Sequence, residues 1–266
     1  YGIGLNNKNP VNINIEKGNV YFNPIILLGQ STELTIKGKI VDYFDILIEG
    51  STDLRPLKAL FKVDDIKGRA SMQVYIYESR KNPEIAGEVD IDNASITLRK
   101  DIPSLNNLNA IVSFNENKVV IEKAYGTFSE GNIQMDGTVY LEKFAIKQLA
   151  LSGKISQVRW IFAPRCWAYL NGQIYLSGSY NQPFLSGQVN IQNGVYTERF
   201  DWTKLALKSS SSKTVVTKDS WFNNLRFNLR VQTNNFFVNN NLATVNLNSD
   251  MVLKGSIPEP SLIGWI

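Results

Sequence analysis

Apolar and polar residues alternate with a period of two along most of the chain. The clearest run is 225–231, where Leu225, Phe227, Leu229 and Val231 are separated by arginine and asparagine. The same alternation occurs at four further pairs: Ile13 and Ile15, Val89 and Ile91, Val189 and Ile191, and Val245 and Leu247. Successive side chains of a strand point to opposite faces of the sheet. The pattern therefore predicts an antiparallel sheet with one apolar face and one solvated face.

Turn signals punctuate this pattern at intervals of about ten residues, as at Gly18-Asn19 and Asn171-Gly172. One short helix is predicted around Asp53–Phe61, where Asp53 can cap the N-terminus and Pro56 suits the first turn. The polar stretch 208–214 predicts a surface loop. The sequence is therefore expected to be all-β with few short helices.

Two segments of the chain repeat each other without gaps. Residues 82–96 align with residues 182–196 so that a proline, a glycine, a valine, an isoleucine and an asparagine coincide. A third, shorter copy lies at 259–266. Each unit reads as a strand, a proline-containing turn, a strand with glycine and an asparagine turn. The repeat-like units near 82–98, 182–200 and 259–266 predict a loose array of similar hairpins.

A sheet with so many strands has to shelter its apolar face. A two-sheet sandwich, a sheet closed on itself and a long curled sheet with an apolar groove all satisfy this need. A single flat sheet of this many strands is improbable. No change of composition marks a domain boundary, so residues 1–266 are predicted to form one continuous segment. We expect that segment to be an internal piece of a longer protein.

Composition narrows the possible chemistry. The 266 residues include no histidine and one cysteine, Cys166. Histidine-dependent triads, histidine-ligated zinc and CxxC sites are thereby excluded. The net charge of +4 is mild and does not form a basic run typical of nucleic-acid binders. We therefore expect a protein that is not an enzyme, without cofactor, catalytic or metal site, and without a nucleic-acid partner.

The repeat residues carry a family resemblance. The segment 176–201, with its Leu-Ser-Gly, Pro-Phe-Leu-Ser-Gly and Val-Asn-Ile-Gln-Asn-Gly-Val-Tyr runs, resembles the TamB-type translocation and assembly module proteins. These proteins belong to the AsmA-like group of bridge-like lipid transfer proteins. A second copy of the motif lies at 253–264, after strands resembling 225–231 and 236–247. The likeness is strongest over about 170–266 and looser over 36–140.

The resemblance implies a fold and a function. The fold is a long curled antiparallel sheet, the β-taco, with a hydrophobic groove. The function is to conduct phospholipids across the periplasm of a diderm bacterium and so support outer-membrane biogenesis. The implied partners are phospholipids, an Omp85-type outer-membrane protein, and the inner membrane through a segment outside this sequence. Candidate groove-lining residues are Val89, Ile91, Ile174, Leu176, Val189, Ile191, Leu225, Phe227, Leu229, Val231, Val245 and Leu247.

Two interpretations remain open beside the conduit, and one segment has two interpretations of its own. The same fold suits a scaffold that assembles or translocates outer-membrane proteins or autotransporters with the Omp85-type partner. The apolar faces also suit an ordinary dry β-core. The aromatic stretch 158–170 is either a connection packed over the sheet or an interfacial element that contacts lipid.

Overall fold

The computed structural model describes residues 4–58, 63–99, 102–199 and 224–266. More than three quarters of these residues lie in strands of one sheet with sixteen members. The strands follow one another across the sheet in chain order, except that the second strand pairs with the third beside that path. The expected all-β fold is confirmed. Backbone contacts divide the chain into two compact units, residues 1–128 with 134–151 and residues 129–133 with 152–266.

Unit 1 contains the first nine strands and parts of the next two. Its complete strands are β1 (Asn6–Asn7), β2 (Ile13–Glu16), β3 (Asn19–Gly29), β4 (Thr32–Ile40), β5 (Phe44–Asp53), β6 (Asp65–Tyr77), β7 (Glu84–Thr97), β8 (Leu105–Glu116) and β9 (Lys118–Phe128). Strands β10 (Gly131–Glu142) and β11 (Ala145–Ala163) have residues in both units. The prediction of one continuous segment over 1–266 stays a prediction.

The described part of the predicted helix is helical from Arg55 onward. A 3-10 turn, Arg55–Leu57, is followed by Lys58 in α-helical conformation. The N-cap residue is Leu54 rather than the expected Asp53, although Asp53 Oδ1 accepts the backbone N–H of Arg55 at 2.8 Å. The side chain of Asp53 is also held by Arg55 Nε and Nη2, at 2.8 and 2.7 Å. Residues 59–61 of the predicted helix, and the polar stretch 208–214, lie outside the described residues.

Unit 2 contains β12 (Cys166–Ser179), β13 (Gln182–Tyr196), β14 (Arg226–Asn239), β15 (Thr244–Ser256) and β16 (Pro260–Trp265). Strands β13 and β14 run parallel. Every other pair of neighbouring strands with an assigned register, in either unit, is antiparallel. The expected antiparallel sheet therefore has one exception. When two consecutive strands are parallel, the connection must cross from the end of the first strand back to the level at which that strand begins. Here that connection is residues 197–225.

The sequence repeats are repeats of structure. Gly87 and Gly187 occupy the same place in β7 and β13, with φ of 128° and 133°. A β-carbon built on either glycine would come within 2.0 and 2.1 Å of a carbonyl oxygen in the preceding strand, that of Gln73 or Gln173. Six residues further on, Asn93 and Asn193 share a left-handed conformation, with φ of 46° and 49°. Each copy therefore needs a glycine where the preceding strand comes too close for a β-carbon. Six residues later it needs a residue, here asparagine, that tolerates the left-handed conformation of a bulge.

Candidate functional site

The registers of unit 1 define one apolar face. Residues paired across neighbouring strands lie on the same face of a sheet. Three adjacent rows across β5, β6, β7, β8 and β9 contain no charged residue: Thr52–Ala70–Ile91–Ala110–Ala124, Gly50–Met72–Val89–Val112–Ile121 and Ile48–Val74–Gly87–Phe114–Val119. The fourth row ends at Glu116, the last residue of β8. Predicted lining residues Val89 and Ile91 are both members of this face.

The opposite face of unit 1 is polar. In β4 and β5, Lys37 Nζ lies 2.7 Å from Glu49 Oε1, and both side chains are largely exposed. Tyr75 donates its hydroxyl to Asp45 Oδ1 at 3.0 Å, and this bond raises the pKa of Tyr75. The alternation in sequence therefore separates charge and apolar surface onto the two faces, as predicted.

The apolar face of unit 1 is covered only in part. Ala70 and Ala94 are buried, at 1% and 0% exposure, and so are the larger Ile66 and Val74, at 5% and 6%. Larger neighbours on that face, including Met72, Val89 and Ile91, are only partly buried although they pack against the same cluster. Leu54 and Val63, in the connection from β5 to β6, pack against this cluster. The described strands form one sheet, and no second sheet of described residues covers the rest of the face.

An aromatic contact shows that unit 1 is curled around this face. Phe44, the first residue of β5, is on the apolar face because it pairs with Ile40, which pairs with Val20. Its ring centroid lies 6.5 Å from that of Phe144, in the turn after β10, with the rings nearly perpendicular. The two strands are five neighbours apart, about 24 Å along a flat sheet at ~4.8 Å per step. The sheet must bend toward its apolar side to make this contact, and we name the concave apolar face of β5–β9 the unit 1 trough.

Phe144 occupies an uncommon backbone conformation. The turn between β10 and β11 has only two residues, Lys143 and Phe144, with φ of 52° and 65°. Such turns favour asparagine and glycine, and the turn between β2 and β3 uses Lys17-Gly18 in the same place. A left-handed conformation costs a residue with a β-carbon about 1–2 kcal/mol. The Phe44–Phe144 pair contributes about 0.5–1.5 kcal/mol in return, and Phe144 remains 46% exposed.

Unit 2 has an apolar face of its own. Its uncharged rows are Leu170–Ile191–Thr233–Ser249, Gly172–Val189–Val231–Met251–Gly264, Ile174–Gly187–Leu229–Leu253–Leu262 and Leu176–Leu185–Phe227–Gly255–Pro260. The rows continue through the parallel pair of β13 and β14. Beyond the bulges, Val245 pairs with Val238, and Leu247 pairs with Phe236.

Unit 2 thus collects most of the predicted lining residues. Nine of them lie in its strands and rows: Ile174, Leu176, Val189, Ile191, Phe227, Leu229, Val231, Val245 and Leu247. Leu225 is partly buried and precedes the first residue of β14. Their contact with lipid stays a prediction. The alternation pattern did not identify some apolar residues of unit 1 that share their face with a glycine. Ile46 and Ile48 are examples, since both lie on the same face of β5 as Gly50.

The polar face of unit 2 is tied together by side-chain hydrogen bonds. Arg230 of β14 donates through Nε and Nη2 to the two carboxylate oxygens of Asp250 in β15, at 2.9 and 2.5 Å. Gln232 Nε2 also donates to Asp250 Oδ2, at 3.0 Å. The bonds from Arg230 and Gln232 lower the pKa of Asp250 to about 2. Gln188 of β13 extends the ladder by donating to Gln232 Oε1 at 2.6 Å.

The aromatic stretch 158–170 forms a regular hairpin. It comprises the end of β11, a short turn and the start of β12. The Arg159 guanidinium lies 4.9 Å above the Trp167 ring, while Arg159 also pairs with Glu130. Ile161 and Phe162, near the tip, are exposed. The expectation of an irregular connection packed over the sheet is therefore wrong for these residues, and contact of the tip with lipid stays a prediction.

Reactive and membrane-spanning features are sparse in the described ranges. Cys166 is partly buried, and burial with the nearby Glu198 charge raises its thiol pKa, which disfavours the reactive thiolate. No group of three or more acidic or cysteine side chains among the described residues is placed to hold a metal ion. No helix in the same residues has the length and apolar character needed to cross a bilayer.

These features define a class of protein: one many-stranded sheet built from hairpin repeats, whose units each have a polar face and an apolar face that no second sheet of described residues covers. A family model, the TamB C-terminal domain, matches residues 122–266, more than half of the chain. The chain belongs to the TamB family. Its membership indicates a role in the translocation and assembly module, in a family that is periplasmic and anchored to the inner membrane. No curated protein and no solved structure matches the chain.

Proposed function

We propose that this chain is a non-enzymatic segment of a phospholipid conduit. Acyl chains lie against the apolar faces, while headgroups remain in water. It works in the periplasm, between an inner membrane that anchors the protein through another segment and an Omp85-type partner in the outer membrane, and it supports outer-membrane biogenesis.

One observation carries the proposal: large apolar faces that have no charged residues in their central rows and no second sheet of described residues over them. Each methylene that moves from water onto such a surface gains about 0.8 kcal/mol when fully buried. Exposed apolar area on this scale marks a binding surface in a soluble protein. Long acyl chains match an extended apolar strip better than a compact ligand does, because the rows run across many strands.

A charge placed on the apolar face tests the proposal. Phe227→Asp places a carboxylate in the row with Leu185 and Gly255, and we expect co-purifying phospholipid, measured by mass spectrometry of extracts, to fall severalfold. Asn228→Asp is the matched control, since it adds the same charge to the same strand on the polar face. Circular dichroism and thermal unfolding identify any loss from misfolding. Equal lipid in both folded variants, or no lipid in the unmodified chain, would contradict the proposal.

A scaffold for outer-membrane proteins or autotransporters is the second candidate function. Its supporting observation is β2, which pairs only with β3 among the described strands and has all four residues exposed. An extended client segment can add to such an edge through main-chain hydrogen bonds. Photo-crosslinkers placed at Val189 and at Asn14 distinguish the two functions. A conduit gives lipid adducts at Val189, whereas a scaffold gives polypeptide adducts at Asn14.

A further inference from the structure

We propose that Phe44 and Phe144 form a bridge across one end of the unit 1 trough, beneath which acyl chains are retained. The inference rests on the proposed lipid-conducting function. It assigns a role in retention to an aromatic pair that the repeat pattern leaves unexplained.

The position of the pair supports the bridge. Phe44 starts β5 and Phe144 sits in the turn after β10, so the two residues terminate opposite sides of the strands that carry the uncharged rows. The 6.5 Å contact joins them at one end of these strands. The rows of β6, β7, β8 and β9 lie between the two residues along the sheet. The pair lies two rows beyond the uncharged row of Ile48. An acyl chain that runs along the strands from these rows toward that end therefore passes between the sheet and the aromatic pair.

The turn itself does not require the ring of Phe144, because the turn between β9 and β10 has the same conformation with Ser129 and Glu130, at φ of 44° and 70°. A two-residue hairpin turn is formed most easily by glycine or asparagine, and a bulky side chain at positive φ is an outlier. Residues held in disfavoured backbone conformations concentrate at functional sites. Glycine at this position would improve the turn but would remove the ring that contacts Phe44.

The contact is also weak enough to open. One edge-to-face pair, with one of its rings largely exposed, biases the closed arrangement by a factor of about three to ten. Opening would let a lipid enter or leave sideways, and closing would keep it on the apolar rows. The bridge thus controls lateral exchange while leaving the apolar surface itself unchanged.

The test measures lateral exchange of a fluorescent phosphatidylethanolamine from the purified chain into vesicles of phosphatidylethanolamine and phosphatidylglycerol. The chain's one cysteine is first replaced by Cys166→Ser, and Phe44→Cys with Phe144→Cys is added. A short bis-maleimide then links the two positions, because side chains separated by two rings lie too far apart for a direct disulfide. The same variant treated with N-ethylmaleimide is the matched control, since it is modified but not linked.

We expect linking to leave the amount of bound probe unchanged and to slow its exchange severalfold relative to the control. Phe144→Gly should accelerate exchange about three- to tenfold while its melting temperature is unchanged or higher. Equal exchange rates in the linked and control proteins, with probe bound to both, would overturn the bridge and leave the conduit intact. Failure of the unmodified chain to bind the probe would overturn the conduit, and the bridge with it.

Discussion

At the scale of single residues, the fold depends on a few positions that hold unusual backbone conformations. Asparagine is frequent because it serves at the left-handed bulges and as their partner. The backbone N–H of Asn93 donates to Asn109 Oδ1 at 3.1 Å, and that of Asn235 donates to Asn248 Oδ1 at the same distance. The backbone N–H of Gln157 likewise donates to Asn171 Oδ1, at 2.9 Å. The amide side chains thus satisfy backbone groups that the bulges leave out of the ladder.

The glycine of the repeat gives a prediction at this scale. Gly87→Ala should lower the free energy of unfolding by about 1–3 kcal/mol, because its β-carbon would lie 2.0 Å from the Gln73 carbonyl oxygen at a φ that alanine avoids. Urea unfolding followed by circular dichroism measures the change. Gly4→Ala is the control, since nothing lies within 4 Å of its added β-carbon. A loss as large in Gly4→Ala as in Gly87→Ala would refute the explanation.

At the scale of strands, alternation predicts which residues of a strand share a face. It does not predict whether the neighbouring strand runs parallel or antiparallel to it. The run 225–231 was correctly expected to form a strand with Phe227, Leu229 and Val231 on one side. That β14 runs parallel to β13 could not be predicted, because a period of two is the same in both directions. Direction is decided by the path of the connection, and residues 197–225 contain no regular pattern that specifies it.

The link between β14 and β15 predicts a pH dependence. The pKa of Asp250 falls from 3.8 to about 2 in the folded chain because Arg230 and Gln232 donate to its carboxylate. A lowered folded-state pKa stabilises the fold above pH ~4 and loses that stabilisation as the pH falls toward 2. The melting temperature of the unmodified chain should therefore fall more steeply between pH 4 and 2 than that of Asp250→Asn. Parallel pH profiles for the two proteins would show that this carboxylate does not couple the strands.

At the scale of the whole molecule, the accessible surface is large for the mass. The chain exposes 17149 Å² at 30.0 kDa, whereas a compact globular protein of that mass exposes about 11,700 Å². A two-sheet sandwich or an ordinary dry β-core would cover the apolar face of the sheet with a second layer. The partly buried side chains of both apolar faces are instead those of a single layer.

This exposure predicts a low heat-capacity change on unfolding. Apolar surface that is already hydrated in the folded state adds nothing to the heat capacity when the chain unfolds. The delipidated chain should therefore give less than the usual ~12–15 cal/mol/K per residue in calorimetry. Added phospholipid should raise the value by covering the apolar faces before unfolding. A value within the usual range without lipid would mean that these faces are covered in solution.

The sequence by itself determined the all-β class, the two-faced strands, the repeat and the family, because each depends on local spacing that one strand or hairpin already carries. It also placed Val89, Ile91 and nine unit 2 residues on apolar faces, since alternation is a local property. Only the tertiary structure decided that β13 and β14 are parallel, that unit 1 curls toward its apolar side and that Phe44 meets Phe144. The direction of β14 depends on the path of the connection before it, which alternation does not specify. The contact of Phe44 with Phe144 joins residues a hundred positions apart, and it comes from the summed bend of many strands, which no single strand encodes.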